Sequence, residues 1–304
     1  MRKKIIIPGE LHHVFQRSHD RGLLFYTAAD VLTYYTICML EAGRHDVRLL
    51  GLCPMRDHVH GLVIPGTAAA LASFEAETNK KYAREFNMDA GLSGPVFEHS
   101  YDCAVRRDLK KSRSSIIYLY NNPVEKHLCK TAIEARWNFL AYGFRENPFS
   151  KPLVIREASY RMRSCISEIR YMRKTGKHLN QGMLRRLFSG LSCVERNQLT
   201  DFIVNTFNCI DYHTLFSYWK SPEEMILATN STTGSEFGIR EKVNKSLSDM
   251  VYSDISSFLE NRLDFERAKD VLALPEKDKR RIAKMISYSV RANEYQICKF
   301  LHLW

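Results

Sequence analysis

The stretch VRLLGLCPMRDHVHGLVIPG, residues 47 to 66, predicts two β-strands that form a hairpin with its turn near Arg56 and Asp57. Side chains alternate between the two faces of a strand, so His58 and His60 are expected on one face and the valine between them on the other. Two imidazoles this close can share one divalent cation. A half-exposed strand that happens to carry histidines explains the same pattern, and the motif by itself leaves both interpretations open.

The segments on either side of this hairpin alternate between strand and helix patterns. Strands are predicted for residues 10 to 17, 47 to 55, 58 to 66 and 95 to 105, and helices for residues 28 to 43, 67 to 86 and 106 to 128. Thr67 is expected to cap the second of these helices. The order β-α-β-β-α-β-α is that of a ferredoxin-like sandwich, an antiparallel sheet backed by helices, so the expected fold class is α+β.

Beyond about residue 150 the strand patterns end, and helical patterns such as residues 156 to 174 and 197 to 210 follow. The sequence therefore predicts an α+β domain over residues 1 to 149 and an all-α, basic domain over residues 150 to 304. Residues 228 to 238, which are rich in Gly, Ser and Thr, are expected to form a mobile loop.

The end of the chain, residues 274 to 304, predicts two further helices. Pro275 lies near the start of the first, and Ile282 and Ile286 share one of its faces. Asn293 is placed to cap the second helix. Such a pair resembles a partial helix-turn-helix, and an ordinary helical hairpin that closes the domain explains the pattern at least as well.

Composition narrows the classes of function. The net charge is +11 and the pI about 9.2, and both halves of the chain are basic, which favours an anionic polymer or surface as the partner. The eight cysteines are scattered without a CxxC motif, so neither a zinc ribbon nor a disulfide framework is expected. The sequence shows no apolar stretch as long as a signal peptide or a membrane span, and we expect a cytoplasmic protein without a membrane partner.

A second motif is SSIIYLYNNPVEKHL, residues 114 to 128, in the last predicted helix of the first half. Helical spacing places Tyr118 and Asn122 on one face, and Tyr120 projects elsewhere. A nucleophile and a metal ligand could therefore lie side by side. An amphipathic core tyrosine followed by an Asn-Pro helix stop accounts for the same residues.

Together and in this order, MRDHVHGL at residues 55 to 62 and YLYNNPV at residues 118 to 124 resemble motifs of the single-tyrosine HUH transposases. Within that group they are similar to the REP-associated tyrosine transposases, whose motifs are roughly MPNHVHLL and YIxxNPV. HHVFQRSHDRGLLF, residues 12 to 25, and GPVFEHSY, residues 94 to 101, also resemble that family. The resemblance covers roughly residues 8 to 143.

The chain departs from the family pattern at three positions in the first motif. Arg56 and Asp57 replace the usual Pro-Asn pair, and Gly61 replaces a bulky residue. Details of the metal-binding loop are therefore expected to differ. The second tyrosine, Tyr120, adds a competing hydroxyl, but alignment on the Asn-Pro pair points to Tyr118.

The resemblance implies a metal-dependent transposase that cuts and rejoins single-stranded DNA, with hairpin or palindromic repeat DNA as its partner. It implies that Tyr118 is the nucleophile and that His58, His60 and Asn122 hold Mg²⁺ or Mn²⁺. A divalent ion on the scissile phosphate stabilises the transition state of attack. Attack by the tyrosine would leave a 5′-phosphotyrosine bond and a free 3′-hydroxyl, which can reverse the step and join strands.

A basic cluster precedes the tyrosine in the sequence RRDLKKSR, residues 106 to 113. The candidates for DNA binding are Arg106, Arg107, Lys110, Lys111 and Arg113. A solvated helix face explains such a cluster equally well.

Other residues rank lower as ligands. For His12 and His13 we favour sheet packing over metal binding, and for Glu98 and His99 a solvated strand end. Two further functions compete with the transposase. One is a hairpin-DNA-binding regulator whose nuclease has decayed, and the other is a metal-dependent phosphoesterase for a small substrate, which the charge disfavours. The sequence leaves the oligomeric state open between monomer and homodimer.

Overall fold

The computed structural model describes residues 4–98, 100–232 and 248–303. Its first half contains four strands and three helices. The strands are Leu11–Arg17 (β1), Val47–Met55 (β2), His58–Pro65 (β3) and Asp102–Arg106 (β4), and the helices are Ala28–Arg44 (α1), Ala68–Ala90 (α2) and Leu109–Glu125 (α3).

The described part of the second half is helical. Its helices are Tyr160–Lys174 (α4), Gln181–Phe188 (α5), Cys193–Phe207 (α6), Tyr212–Phe216 (α7), Pro222–Ser231 (α8), Val251–Arg262 (α9), Glu276–Ser289 (α10) and Glu294–Leu301 (α11). Among the described residues, no helix has both the length and the apolar character needed to cross a bilayer. All eight cysteines are free thiols.

The strands form one sheet in the order β2-β3-β1-β4, and every neighbouring pair is antiparallel. This sheet with its helices confirms the predicted α+β class. The narrower expectation of a ferredoxin-like sandwich stays a prediction. Met55 pairs with His58 across the hairpin, so the turn lies at Arg56 and Asp57 as the sequence predicts. Thr67 caps α2, since its side chain accepts a hydrogen bond from the backbone N–H of Ala70.

Three element boundaries differ from the sequence prediction. The strand predicted from residue 95 begins only at Asp102, and Phe97 forms a single bridge with Ser18 before it. Helix α3, predicted over residues 106 to 128, spans only Leu109–Glu125; it continues for two residues past Pro123, because a proline in the last turn removes only one backbone hydrogen bond. Residues 228 to 231 of the predicted loop are the end of α8, and residues 233 to 238 lie outside the described part of the chain.

The two faces of the sheet carry different layers. Helices α1 and α2 pack on the face that presents Val14, Val59 and Val63. Helix α3 packs on the opposite face against Leu11 and Leu62. The histidines of β3 belong to this second face, because they alternate with Val59 along the strand.

Helix α1 is buried on every side, since each residue from 30 to 42 is buried. A helix on the outside of a two-layer sandwich would keep a solvent-exposed stripe. Here the second half covers it: Leu32 belongs to the same apolar core as Ile166 and Leu199. The hydroxyl of Tyr35 also donates a hydrogen bond to the carbonyl of Val204, at 2.8 Å. The proposed domain boundary near residue 150 stays a prediction, and the two halves share this core.

The last two helices form as predicted. Asn293 caps α11, with a reciprocal capping box to Gln296, and Pro275 is the N-cap of α10. Helix α11 docks on the first half, where the Tyr26 hydroxyl donates to the carbonyl of Phe300 at 2.6 Å. A role as a partial helix-turn-helix stays a prediction, and residue 304 lies outside the described chain.

Candidate active site

The two histidines of β3 lie next to each other on the face of the sheet that α3 covers. The rings of His58 and His60 are perpendicular, with their centroids 4.8 Å apart. Phe15, on the neighbouring strand β1, packs against both rings at 5.3 and 5.1 Å. Both histidines are buried. The alternation seen in the sequence therefore places the two imidazoles together.

Helix α3 brings Tyr118 onto these histidines. Its ring meets that of His60 edge-on, with the centroids 5.7 Å apart, and lies 5.9 Å from the ring of His13. Asn122 is one helical turn further on, buried, and its amide nitrogen donates to the carbonyl of Tyr118 at 2.9 Å. The structure thus places Tyr118 against His60 and His13, with Asn122 one turn further along the same helix.

Tyr120 lies apart from the histidines. Its hydroxyl donates to the carbonyl of Leu50 at 3.0 Å, inside the apolar cluster between α3 and β2. Gly51 makes room for it, because a Cβ at that position would lie 3.0 Å from the hydroxyl oxygen. Burial raises the pKa of Tyr120 well above its usual value. This placement agrees with the prediction that Tyr120 and Tyr118 project from different faces of the helix.

His58 is held by a buried carboxylate. Its Nδ1 is 2.7 Å from Oδ1 of Asp57, whose Oδ2 is 2.7 Å from Nζ of Lys299 on α11. Burial alone would raise the pKa of Asp57, but His58 and Lys299 together hold that pKa well below its usual range. The Asp57 carboxylate is placed to accept a hydrogen bond from Nδ1 of His58, and in that tautomer Nε2 is the nitrogen suited to a metal.

His60 is held by a second histidine. Its Nδ1 is 3.0 Å from Nε2 of His13, which comes from β1. A metal bound through Nε2 of His60 would require Nδ1 to donate this hydrogen bond. His13 is therefore part of the site, although the sequence favoured simple packing for it. His12 points to the other face, where its Nδ1 bonds the carbonyl of Glu10 at 2.8 Å.

The donor set would fill only part of the coordination sphere of a divalent ion. No cluster of three or more His, Cys, Asp or Glu side chains in metal-binding geometry occurs among the described residues. Two imidazoles and one amide oxygen would leave positions for phosphate oxygens and water on a six-coordinate ion. Imidazole suits Mn²⁺ better than Mg²⁺, which prefers oxygen ligands.

The basic cluster is split by the fold. Arg107, Lys110 and Lys111 are exposed near the start of α3, where Nζ of Lys111 is 3.0 Å from a carboxylate oxygen of Asp108. These three side chains are open to solvent, as contact with phosphates would require. Glu98 is also exposed, and His99 lies outside the described residues.

The other two arginines have structural partners. Arg106 ends β4 on the histidine-bearing face, opposite Leu11, and is almost fully buried. Burial lowers the pKa of Arg106 to about 10. Arg113 donates from Nε to the carbonyl of Tyr218 at 2.6 Å and lies over the ring of Trp219. Their roles in DNA binding stay predictions. Both side chains are less exposed to solvent than those of Arg107, Lys110 and Lys111.

A cavity of about 330 Å³ opens beside the site. Aromatic side chains of Phe25, Tyr26 and Trp137 line it, together with Arg56 and Pro123, which belong to the two motifs. Rings of this kind provide platforms on which nucleic-acid bases stack.

Neither a protein-family profile nor a curated protein matches the sequence. Among solved structures, the chain is similar to that of a REP-associated tyrosine transposase bound to a REP hairpin. The two are 15% identical, and the match covers 45% of this chain and 80% of the other, with a TM-score of 0.39.

Proposed function

We propose that the protein is a metal-dependent enzyme that cuts and rejoins single-stranded DNA through a tyrosine nucleophile, with an HUH-type nuclease domain of ferredoxin-like topology. The observation that carries this proposal is the packing of Tyr118 against His60 on the histidine face, at 5.7 Å between ring centroids. Two histidines with their Nδ1 atoms engaged, beside a tyrosine on a helix, form a compact set for attack on a phosphodiester.

In the proposed reaction, the hydroxyl oxygen of Tyr118 attacks the scissile phosphorus and loses its proton. The bond from phosphorus to the 3′-oxygen breaks, that oxygen takes up a proton, and a 5′-phosphotyrosine remains. A phenol with a pKa of about 10 is a weak nucleophile at neutral pH. Held by His58, His60 and Asn122, Mg²⁺ or Mn²⁺ would supply positive charge to the phosphate oxygens.

The DNA strand is proposed to follow the start of α3 toward the tyrosine. Arg107, Lys110 and Lys111 would neutralise its phosphates. A base near the cut would stack in the aromatic cavity, against Trp137. Single-stranded or hairpin DNA is thus the proposed partner.

One observation favours the alternative of a hairpin-binding regulator without nuclease activity. Tyr118 is 7% exposed and His60 0%. A substrate phosphate would need the site to open before it reached either group. The regulator predicts hairpin affinity without any covalent product.

The test is a search for a covalent adduct. The full chain is incubated with 3′-labelled hairpins that carry single-stranded flanks, drawn from a library, in Mn²⁺ or Mg²⁺, and then denatured on a gel. Wild type and Tyr120→Phe should form a labelled protein band, and Tyr118→Phe should not, because it lacks the nucleophilic oxygen while keeping its packing.

The other outcomes separate the alternatives. An adduct in Tyr118→Phe that disappears in Tyr120→Phe would assign the reaction to the other tyrosine. Hairpin binding by the wild type with no adduct in either metal would favour the regulator.

A further inference from the structure

The last helix of the chain touches the proposed metal site. Nζ of Lys299, on α11, is 2.7 Å from Oδ2 of Asp57, and the other oxygen of that carboxylate contacts His58. Lys299 and Asp57 are both largely buried, with 9% and 14% of their side chains exposed. The ammonium group therefore acts on the carboxylate with little screening by water.

The surroundings hold Lys299 in this position. Its ammonium lies 5.8 Å from the ring centroid of Tyr252 and 5.7 Å from that of Tyr295. The carboxyl of Asp249 is close enough to interact electrostatically with both Lys299 and Asp57. Tyr252 belongs to α9 and Tyr295 to α11, so rings from two helices flank the ammonium group.

The turn before His58 is held from the same side. The guanidinium of Arg56 donates to the carbonyls of Phe25 and Tyr26, at 3.0 and 3.1 Å, and to the hydroxyl of Ser253 on α9, at 3.2 Å. Two residues of the second half thus contact the two residues that replace the family's usual Pro-Asn pair. Two of the three positions at which the motif departs from the family pattern are therefore positions that contact the second half of the chain.

We propose that Lys299 is a positioning residue that orients His58 for metal binding through Asp57. This inference rests on the proposed function, because it assumes that His58 is a metal ligand. Lys299 occupies one carboxylate oxygen and leaves the other to accept the proton on Nδ1, which keeps Nε2 of His58 as the metal-facing nitrogen. Groups that orient a ligand histidine in this way typically change metal affinity by 10- to 100-fold when they are lost.

The experiment compares Lys299→Met and Lys299→Arg in the full chain. Mn²⁺ affinity is measured by calorimetry without DNA, and the tautomer of His58 by ¹⁵N NMR of the imidazole nitrogens. In Lys299→Met the Asp57 carboxylate loses the contact that fixes its position and can turn away from Nδ1 of His58. Mn²⁺ binding should then weaken by about 10-fold, and the tautomer with the proton on Nε2 should become populated. Lys299→Arg, which keeps the positive charge, should give a Mn²⁺ affinity and a His58 tautomer close to those of the wild type.

Lys284→Met is the matched control, since this lysine is exposed on the neighbouring helix α10. It should change neither readout. Asp57→Asn provides a second route if Lys299→Met does not fold, because it keeps the shape of the side chain and removes the charge that Lys299 contacts. It should shift the tautomer in the same direction.

The two proposals can fail separately. A folded Lys299→Met with wild-type Mn²⁺ affinity and an unchanged His58 tautomer would reduce Lys299 to a structural ion pair. If the wild type binds no Mn²⁺, the metal site of the proposed function is wrong. In that case only the tautomer measurement tests the positioning role of Lys299. An unchanged His58 tautomer in both Lys299→Met and Asp57→Asn would overturn that role.

Discussion

The sheet with α3 and the helical second half contribute different things to the candidate site. The sheet and α3 supply the groups that would react, His58, His60 and Tyr118, within short motifs. The second half supplies no proposed reacting group, but its Lys299 and Ser253 contact the turn that precedes His58. The proposed reacting groups can therefore be predicted from local sequence, whereas residues that contact them come from distant parts of the chain.

Because the second half contacts the first in many places, deleting it changes more than one property of the protein. Because the second half is basic, we predict that deletion from residue 150 onward weakens hairpin binding. The burial of α1 from residue 30 to 42 shows that the same deletion would also expose apolar surface. Point variants separate the two contributions more cleanly.

The largest expected effect is the loss of the metal ligands. His58→Ala and His60→Ala should each reduce DNA cleavage by about 10³-fold, because several kcal/mol of transition-state stabilisation would be lost. DNA binding should change little, since phosphate contacts carry most of the affinity. Cleavage is measured by the adduct assay and binding by fluorescence anisotropy. Full cleavage by both variants would contradict the idea that the sheet supplies the reacting groups.

The second prediction concerns how the second half holds the first. The side chain of Lys269 is 1% exposed, and its Nζ lies 2.7 Å from Oδ1 of Asp30 and 3.0 Å from Oδ2 of Asp89. Lys269→Met should lower the free energy of unfolding by about 3–5 kcal/mol, because the fully buried Asp30 loses its cation. Asp89, in contrast, keeps Arg185 and Arg267. Urea denaturation measures this change.

Lys277→Met is the control for this variant, because Lys277 is exposed on α10. Its effect on the free energy of unfolding should stay within about 0.5 kcal/mol. Equal stability of the two variants would mean that the buried ion pair does not tie the halves together.

The smallest expected effect concerns the DNA path. Replacing Arg107, Lys110 and Lys111 together by Gln should weaken single-strand binding about 10-fold at low salt. It should also reduce the slope of log affinity against log salt by about 2, since each phosphate contact contributes about 0.7. Anisotropy titrations at several salt concentrations give both numbers.

A matched triple variant sharpens the comparison between the two halves. Lys277, Arg281 and Lys284 are exposed on α10 in the second half. If their replacement by Gln changes the salt slope and replacement of the α3 cluster does not, the DNA path belongs to the helical half. That result would favour the partial helix-turn-helix over an ordinary hairpin.

Local periodicity accounts for what the sequence predicted correctly. A period of two placed His58 and His60 on one face, and 3.6 residues per turn separated Tyr118 from Tyr120. Capping chemistry located Thr67 at a helix start, where its side chain accepts a backbone hydrogen bond. Each of these features depends on neighbours within a few residues.

The sequence by itself determined the α+β class, the histidine hairpin and the tyrosine helix, because each follows from short-range spacing and alternation. Only the tertiary structure decided that His13 reaches His60, that Lys299 reaches Asp57, and that Arg106 is buried. The first depends on the register of β1 against β3, and the second on the docking of α11 beside the hairpin turn. Such contacts join segments far apart in the chain, and no local period encodes which of them meet.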